Sequence, residues 1–194
     1  MKFRAILDPQ NIEEIEYKYS IWAKECGIYM SETKLFNGKH FGTERFDRTD
    51  RGKIHTISAG GLLNADYRIP SLDYSLLMKL TLNLTRDMQQ VIQMFRLMVF
   101  NIVISKRDDH AKNFSFQHRD ENWKLSPAYD LLPSSGFNGY HTPTINGQGE
   151  PTLKDVTAIA SEIGLAANQA KEIIEQVRDI CHQNKMAKFN LRNQ

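Results

Sequence analysis

The sequence predicts an α+β fold. Three observations point there: an Asn37-Gly38 turn between strand-forming residues, a second hairpin pattern running from Asn113 to Ser126, and helical apolar periodicity through most of the remainder. With 194 residues and 41% hydrophobic content, the chain can bury one core, divided between a small and a large lobe.

The elements are justified in order. Residues 1–7 have strand character, and Asp8-Pro9 turns into a helix whose Ile12, Ile15, Tyr19, Trp22 and Cys26 line one face up to Gly27. Residues 33–36 and 39–46 alternate around Asn37-Gly38, the strongest short turn signal in the chain. Residues 48–53 read as a charged surface turn and 62–70 as an irregular stretch. Ser71 is expected to cap a helix with Leu72, Leu76, Leu77, Leu80 and Leu84 as its buried stripe. Thr85-Arg86-Asp87 opens a longer helix in which Val91, Ile92, Phe95, Val99 and Ile102 recur at helical spacing. Its last part, 97–104, is apolar except for Asn101, so it reads as a buried helix delivering its C-terminus to the polar cluster that follows. Residues 113–117 and 123–126 alternate polar and apolar about a polar turn at 119–122, a hairpin. The Gly- and Pro-rich stretch 133–151 is a long loop presenting Ser134, Ser135 and Thr142 as exposed hydroxyls, and 152–163 and 168–183 are amphipathic helices separated by Gly164-Leu165.

Composition excludes some classes. A net charge of +2 advertises neither nucleic-acid nor membrane attraction. No run approaches 18 apolar residues, which argues against a membrane-spanning helix, and Met1-Lys2 leads on without the apolar stretch of a signal peptide. Cys26 and Cys181 read as thiols of a reducing compartment rather than a disulfide, so a cytoplasmic location is expected.

The chemistry concentrates in Lys106-Arg107-Asp108-Asp109-His110-Ala111-Lys112-Asn113 and in Ser126-Pro127-Ala128-Tyr129-Asp130. An Asp, an Asn five residues on, and a second Asp beyond a hairpin is the arrangement that supplies a base and two hard-oxygen ligands for Mg²⁺ on nucleotide phosphates. Chance alone would give Asp-x4-Asn roughly 0.4 times in an average chain of this length. The flanking pattern therefore carries the weight: a hairpin with Asn113 at its start and Asp130 just past its end returns both to one edge. Asp109 is a rival base, but its spacing to Asn113 is one residue short.

These segments resemble the HipA-like Ser/Thr kinases, toxin components of bacterial toxin–antitoxin pairs, whose motifs have the form Asp-x-His-x-Lys-Asn-Phe-Ser and Leu-x-Pro-x-Tyr-Asp. Here they stand as Asp108 to Ser115 and Leu125 to Asp130, and the resemblance extends over most of the chain. It implies a protein-kinase-like fold with a truncated small N-lobe (1–47, with the hinge strand) and a mainly helical C-lobe (48–194). It further implies ATP and Mg²⁺ as cofactors, Asp108 as the base, and Asn113 and Asp130 on the metal. His110, Lys112, Asn113, Tyr129 and Asp130 become nucleotide-contacting positions. Glu44-Arg45-Phe46-Asp47-Arg48 matches the family's connection between lobes, where backbone groups meet the adenine edge, so Glu44, Arg45 and Phe46 join them. Lys2 falls where the family places a phosphate-contacting Lys, with Glu16 as its partner on the helix. The family's phosphate-covering loop has no counterpart here, and Gly60-Gly61 lacks the spacing of one. The implied partners are a protein substrate such as an aminoacyl-tRNA synthetase and a small DNA-binding antitoxin, with DNA met only through the antitoxin.

Two other readings stand beside this one. A catalytically inactive remnant would bind nucleotide or antitoxin and transfer nothing. The last two helices with their Gly turn also fit a helix-turn-helix that reads DNA. However, Lys171, Glu172, Glu175, Arg178 and Asp179 mix signs on the second helix, which suits a solvated face better than a phosphate-hugging one. The basic stretch 185–192 reads as a frayed tail.

Overall fold

The computed structural model describes residues 9–64, 72–136 and 139–185. The expected strand at 1–7 with Lys2, the Ser71 cap, and most of the 62–70 and 185–192 stretches lie outside them.

Helix α1 (Ile12–Glu25) has Glu13 and Glu14 in its first turn and Lys24 in its last, the signs its dipole favours. It stops at Gly27, where φ is +75°. Gly27 N–H donates to the Lys24 carbonyl (2.9 Å) and Ile28 N–H to that of Ala23 (3.0 Å), a Schellman closure. Strands β1 (Thr33–Phe36) and β2 (His40–Thr43) pair antiparallel and pack on α1. Asn37 and Gly38 take φ of +51° and +67°, as the turn signal demands. β2 ends at Thr43, earlier than the alternation suggests, although Glu44 N–H still reaches the Glu32 carbonyl (2.8 Å), in register with the ladder. The supposed surface turn at 48–53 is a miniature ladder of β3 (Arg48–Thr49) and β4 (Gly52–Lys53). β5 (His55–Ser58) follows, then a single helical turn α2 (Ala59–Leu62) capped by Ser58.

Helix α3 (Tyr74–Thr85) is capped by Asp73, which accepts the Ser75 N–H at 2.8 Å. Its buried face is Tyr74, Leu77, Met78 and Thr81, spaced i, i+3, i+4, i+7. This departs from the expected leucine stripe: Leu76 is 41% exposed, and Leu80 and Leu84 are half-buried. The fully buried Tyr74 sets which face turns inward. Helix α4 (Met88–Val103), capped by Asp87, buries Val91, Met94, Phe95, Met98, Val99, Phe100 and Ile102 completely. Each large apolar side chain so buried stabilises the fold by about 1.5–3 kcal/mol.

Past α4 the chain makes one 3₁₀ turn, Ala111–Asn113, and enters β6 (Ser115–Arg119) and β7 (Asn122–Leu125), joined at Asp120 and Glu121 with positive φ. β5 pairs with the other edge of β6, giving the order β5-β6-β7. Nothing local in the sequence marks this third strand, because four residues pairing with a strand far downstream leave no turn signal. Helix α5 (Leu153–Glu162) starts with a Thr152–Asp155 capping box. Helix α6 (Ala167–Gln183) packs Ile173, Ile174 and Val177 inward, with α4 and α1 among its neighbours, and leaves Lys171, Glu172, Glu175 and Asp179 exposed. Cys26 and Cys181 are both buried and not bridged to each other, and the neighbouring Cys181 helps raise the Cys26 thiol. No described helix is long and apolar enough to cross a membrane.

Candidate functional site

Helix α4 delivers residues 105–110 from the core, and the two adjacent acids part company there. Asp109 is fully buried. Its carboxylate accepts the Tyr74 hydroxyl, Asn101 Nδ2 donates to the Tyr74 oxygen at 3.0 Å and approaches Asp109 Oδ2 at 3.5 Å, and His141 Nδ1 stands 3.7 Å from Oδ1. Burial, then the Asp109 charge, holds the Tyr74 phenol well above its ordinary range. Asp109 therefore braces α3, α4 and the 139–149 stretch. Asp108 is the exposed acid. Its peptide is gripped at both ends: Ser134 Oγ accepts its N–H at 2.8 Å, while Asn113 Nδ2 (3.1 Å) and Lys106 Nζ (3.4 Å) donate to its carbonyl.

That Asn113 bond orients the amide. With Nδ2 committed to Asp108, Oδ1 is the end left to accept a cation or donor. Asp130 is exposed and adopts φ of +56°, a left-handed conformation that Asp tolerates better than most residues. The two segments are tied by Tyr129. Its hydroxyl donates to the Lys112 carbonyl at 2.6 Å, which spends its one hydrogen, so Ser115 Oγ, 2.7 Å away, must be the donor to it. Burial raises the Tyr129 phenol, the hydrogen bond from Ser115 opposes that, and the Asp130 charge adds to it. Tyr129 also stacks on Phe46, ring centroids 5.5 Å apart at 30°.

Asp108 and Asp130 line one cavity of about 620 Å³. Asp130 also lines a second, about 270 Å³, with Glu16, Thr43 and Tyr129; Thr43 and Tyr129 continue into a third, about 440 Å³, bounded by Glu44, Arg45 and Phe46. The shared walls make one groove from the 44–46 segment to Asp108. Asn113 lines a separate cavity of about 320 Å³ that meets this groove at Ala128. Thus the structure brings Asp108, Asp130, Tyr129, Glu44, Arg45 and Phe46 onto one groove, and joins Asn113 to it through the Asp108 carbonyl.

The remaining expected positions divide. Lys112 is exposed and joins the assembly through its carbonyl, and His110 precedes the 3₁₀ turn, its carbonyl accepting Asn113 N–H at 2.8 Å. Glu16, which the resemblance pairs with Lys2, is buried on the groove wall. The Phe46 carbonyl accepts both Gln117 Nε2 (2.8 Å) and Arg119 Nη2 (2.7 Å), which fills its lone pairs, so an adenine edge would be met by other backbone atoms of this segment. The Arg45 guanidinium clasps Asp47 and holds that carboxyl below its usual range. Ser134 and Thr142 are half-buried rather than exposed, both bonded to the Asp108 loop.

Among the described residues no group of three or more His, Cys, Asp or Glu could hold a metal. One carboxylate plus one amide oxygen is a sparse set of the kind Mg²⁺ accepts when it is shared with nucleotide phosphates; here Asp130 lines the groove and Asn113 the cavity beside it.

Residues 1–184 match the HipA-like C-terminal domain. The chain belongs to that family. It is 35% identical over 52 residues, 27% of its length and 12% of the other's, to the Sinorhizobium fredii protein named "Putative kinase Y4mE". Among solved structures it is similar to HipA of the Shewanella oneidensis MR-1 toxin–antitoxin system, determined with HipB and its operator DNA: TM-score 0.74, 16% identity, 95% of this chain and 51% of that one. The chain thus spans about half the length of that HipA and a small part of Y4mE.

Proposed function

We propose that this HipA-like chain carries the catalytic portion of an ATP- and Mg²⁺-dependent Ser/Thr protein kinase. The observation that supports this reading most is the groove on which the exposed Asp108 and Asp130 face one cavity and which runs on to Phe46 and Tyr129. In it, the base of a nucleotide lies against the Phe46–Tyr129 pair and the backbone of 44–46, with residues 1–47 acting as the small lobe and 48–194 as the larger. Asp108 orients the acceptor hydroxyl and takes its proton. Asn113 and Asp130 hold Mg²⁺, which when bound neutralises charge developing on the transferred phosphoryl group. Lys2, His110 and Lys112 are assigned to the phosphates. A protein such as an aminoacyl-tRNA synthetase is the proposed acceptor. The HipB complex of the Shewanella relative supports a small DNA-binding antitoxin as partner, with DNA reached through it.

Transfer of labelled γ-phosphate from Mg-ATP tests the reading directly. Wild-type chain should label protein, whereas Asp108→Asn and Asp130→Ala should not. A chain that binds Mg-ATP with no transfer would instead be a nucleotide-binding remnant.

A further inference from the structure

Ser134 belongs to the loop that follows Asp130, yet its hydroxyl is aimed at the backbone around the proposed base. Its Oγ accepts the N–H of Arg107 at 3.0 Å and that of Asp108 at 2.8 Å. Successive N–H groups converging on one oxygen form a nest, a geometry that ordinarily holds an anion; here a neutral hydroxyl fills it. The Ser134 N–H in turn donates to the Ser105 carbonyl at 3.1 Å, and its backbone bridges to Lys106. Thr142 contacts the same loop but serves the opposite group, since its N–H and hydroxyl both donate to the Arg107 carbonyl. Neighbours cannot replace the acceptor, because Ser135 is exposed and Pro133 contributes no hydroxyl.

We propose that Ser134 is a positioning residue for Asp108. Its oxygen fixes the peptide that carries the base and fastens that peptide to the segment bearing Asp130. Asn113 holds the next peptide, on the other side of the same residue, through the Asp108 carbonyl. The base and both proposed metal ligands are thereby set relative to one another by three side-chain-to-backbone bonds, two of which come from Ser134. The catalytic consequence rests on the kinase reading; the hydrogen-bond arrangement stands apart from it.

The test uses the full chain as wild type, Ser134→Ala and Ser134→Thr, with three measurements: kcat for phosphate transfer, Kd for Mg-ATP, and hydrogen exchange at the Arg107 and Asp108 amides. Ser134→Ala should lower kcat roughly 10- to 100-fold, as displacement of a reacting group by about an ångström does, with Kd held within about two-fold. The two amides should exchange about tenfold faster. Ser134→Thr, which keeps the oxygen, should restore both. Unchanged exchange at both amides in Ser134→Ala overturns the proposal whatever the activity. So does a kcat loss matched by an equal loss of Mg-ATP affinity, or one that threonine leaves unrepaired. A wild-type chain that transfers nothing defeats the kinase reading and the catalytic role together, while exchange still decides whether Ser134 holds the loop.

Discussion

Removing one oxygen from Tyr74 should cost far more than its size suggests. Tyr74 is fully buried; its hydroxyl donates to the Asp109 carboxylate and accepts from Asn101 Nδ2 at 3.0 Å. Tyr74→Phe leaves that carboxylate with Asn101 at 3.5 Å and His141 Nδ1 at 3.7 Å, neither a good replacement. A hydrogen bond to a charged group contributes about 1.5–3 kcal/mol, and desolvating the abandoned partner adds about 1–3, so the expected loss is about 3 kcal/mol. For a chain of this length that is a drop in Tm of roughly 6–12 °C. Urea unfolding followed by circular dichroism measures it. The same change has a signature at alkaline pH. The folded phenol titrates well above 10.0, whereas the unfolded one ionises near 10. The contribution is therefore intact below about pH 10 and is lost as pH rises beyond it, by about 1.4 kcal/mol per pH unit. Tyr74→Phe should abolish that part of the slope. A loss under about 0.5 kcal/mol at neutral pH would refute the bracing role of Asp109.

Asp108→Asn should change unfolding free energy by less than about 0.5 kcal/mol, since the side chain is exposed, while phosphate transfer falls at least ~100-fold; the pair of assays separates the two adjacent acids. Tyr129→Phe should weaken Mg-ATP binding, measured by calorimetry, because it frees the Lys112 carbonyl and Ser115 Oγ that tie the Asn113 and Asp130 segments; unchanged affinity would count against the groove. Gly136 has φ of +64°, and a Cβ there would stand 2.6 Å from Arg107 Cβ and 2.5 Å from the Tyr140 carbonyl. Gly136→Ala should therefore cost about 2–4 kcal/mol in urea unfolding from backbone strain and overpacking combined. The neighbouring Cys181 and burial raise the Cys26 thiol, and both side chains are fully buried, so neither cysteine should react with a disulfide reagent until the chain unfolds.

What the sequence made legible was local. The Asn37-Gly38 turn, the Asp87-initiated α4, the β6–β7 hairpin and the α5–α6 pair each announce themselves through turn chemistry or periodicity within a dozen residues. The β6–β7 hairpin pattern follows directly on Asn113 and ends just before Asp130, while the bond from Asn113 to the Asp108 carbonyl spans only five residues. Harder features depend on distant partners. β5 acquires its identity only by pairing with β6, and the rotation of α3 is decided by where the Tyr74 hydroxyl finds Asp109 and Asn101. Asp108 and Asp109 look interchangeable as letters; only the core beneath them separates surface from interior. Ser134 gave no signal beyond being a hydroxyl in a glycine-rich loop, since its role is a bond to backbone, whose atoms are the same at every residue.

The last two turns of α4, residues 97–103, are buried throughout and act as a fixed anvil. Asp108 hangs a few residues beyond Phe100, Ile102 and Ile104, none of which has any solvent contact, so the loop that Ser134 and Asn113 hold springs from a rigid base. On the opposite wall of the groove, the segment between α1 and β1 meets the chain leading to Asp130 where Met30 bridges Ala128, whose N–H reaches the Tyr29 carbonyl at 2.8 Å. A ligand that cross-braces Phe46 to Asp130 would therefore clamp these two segments to each other while leaving the anvil untouched.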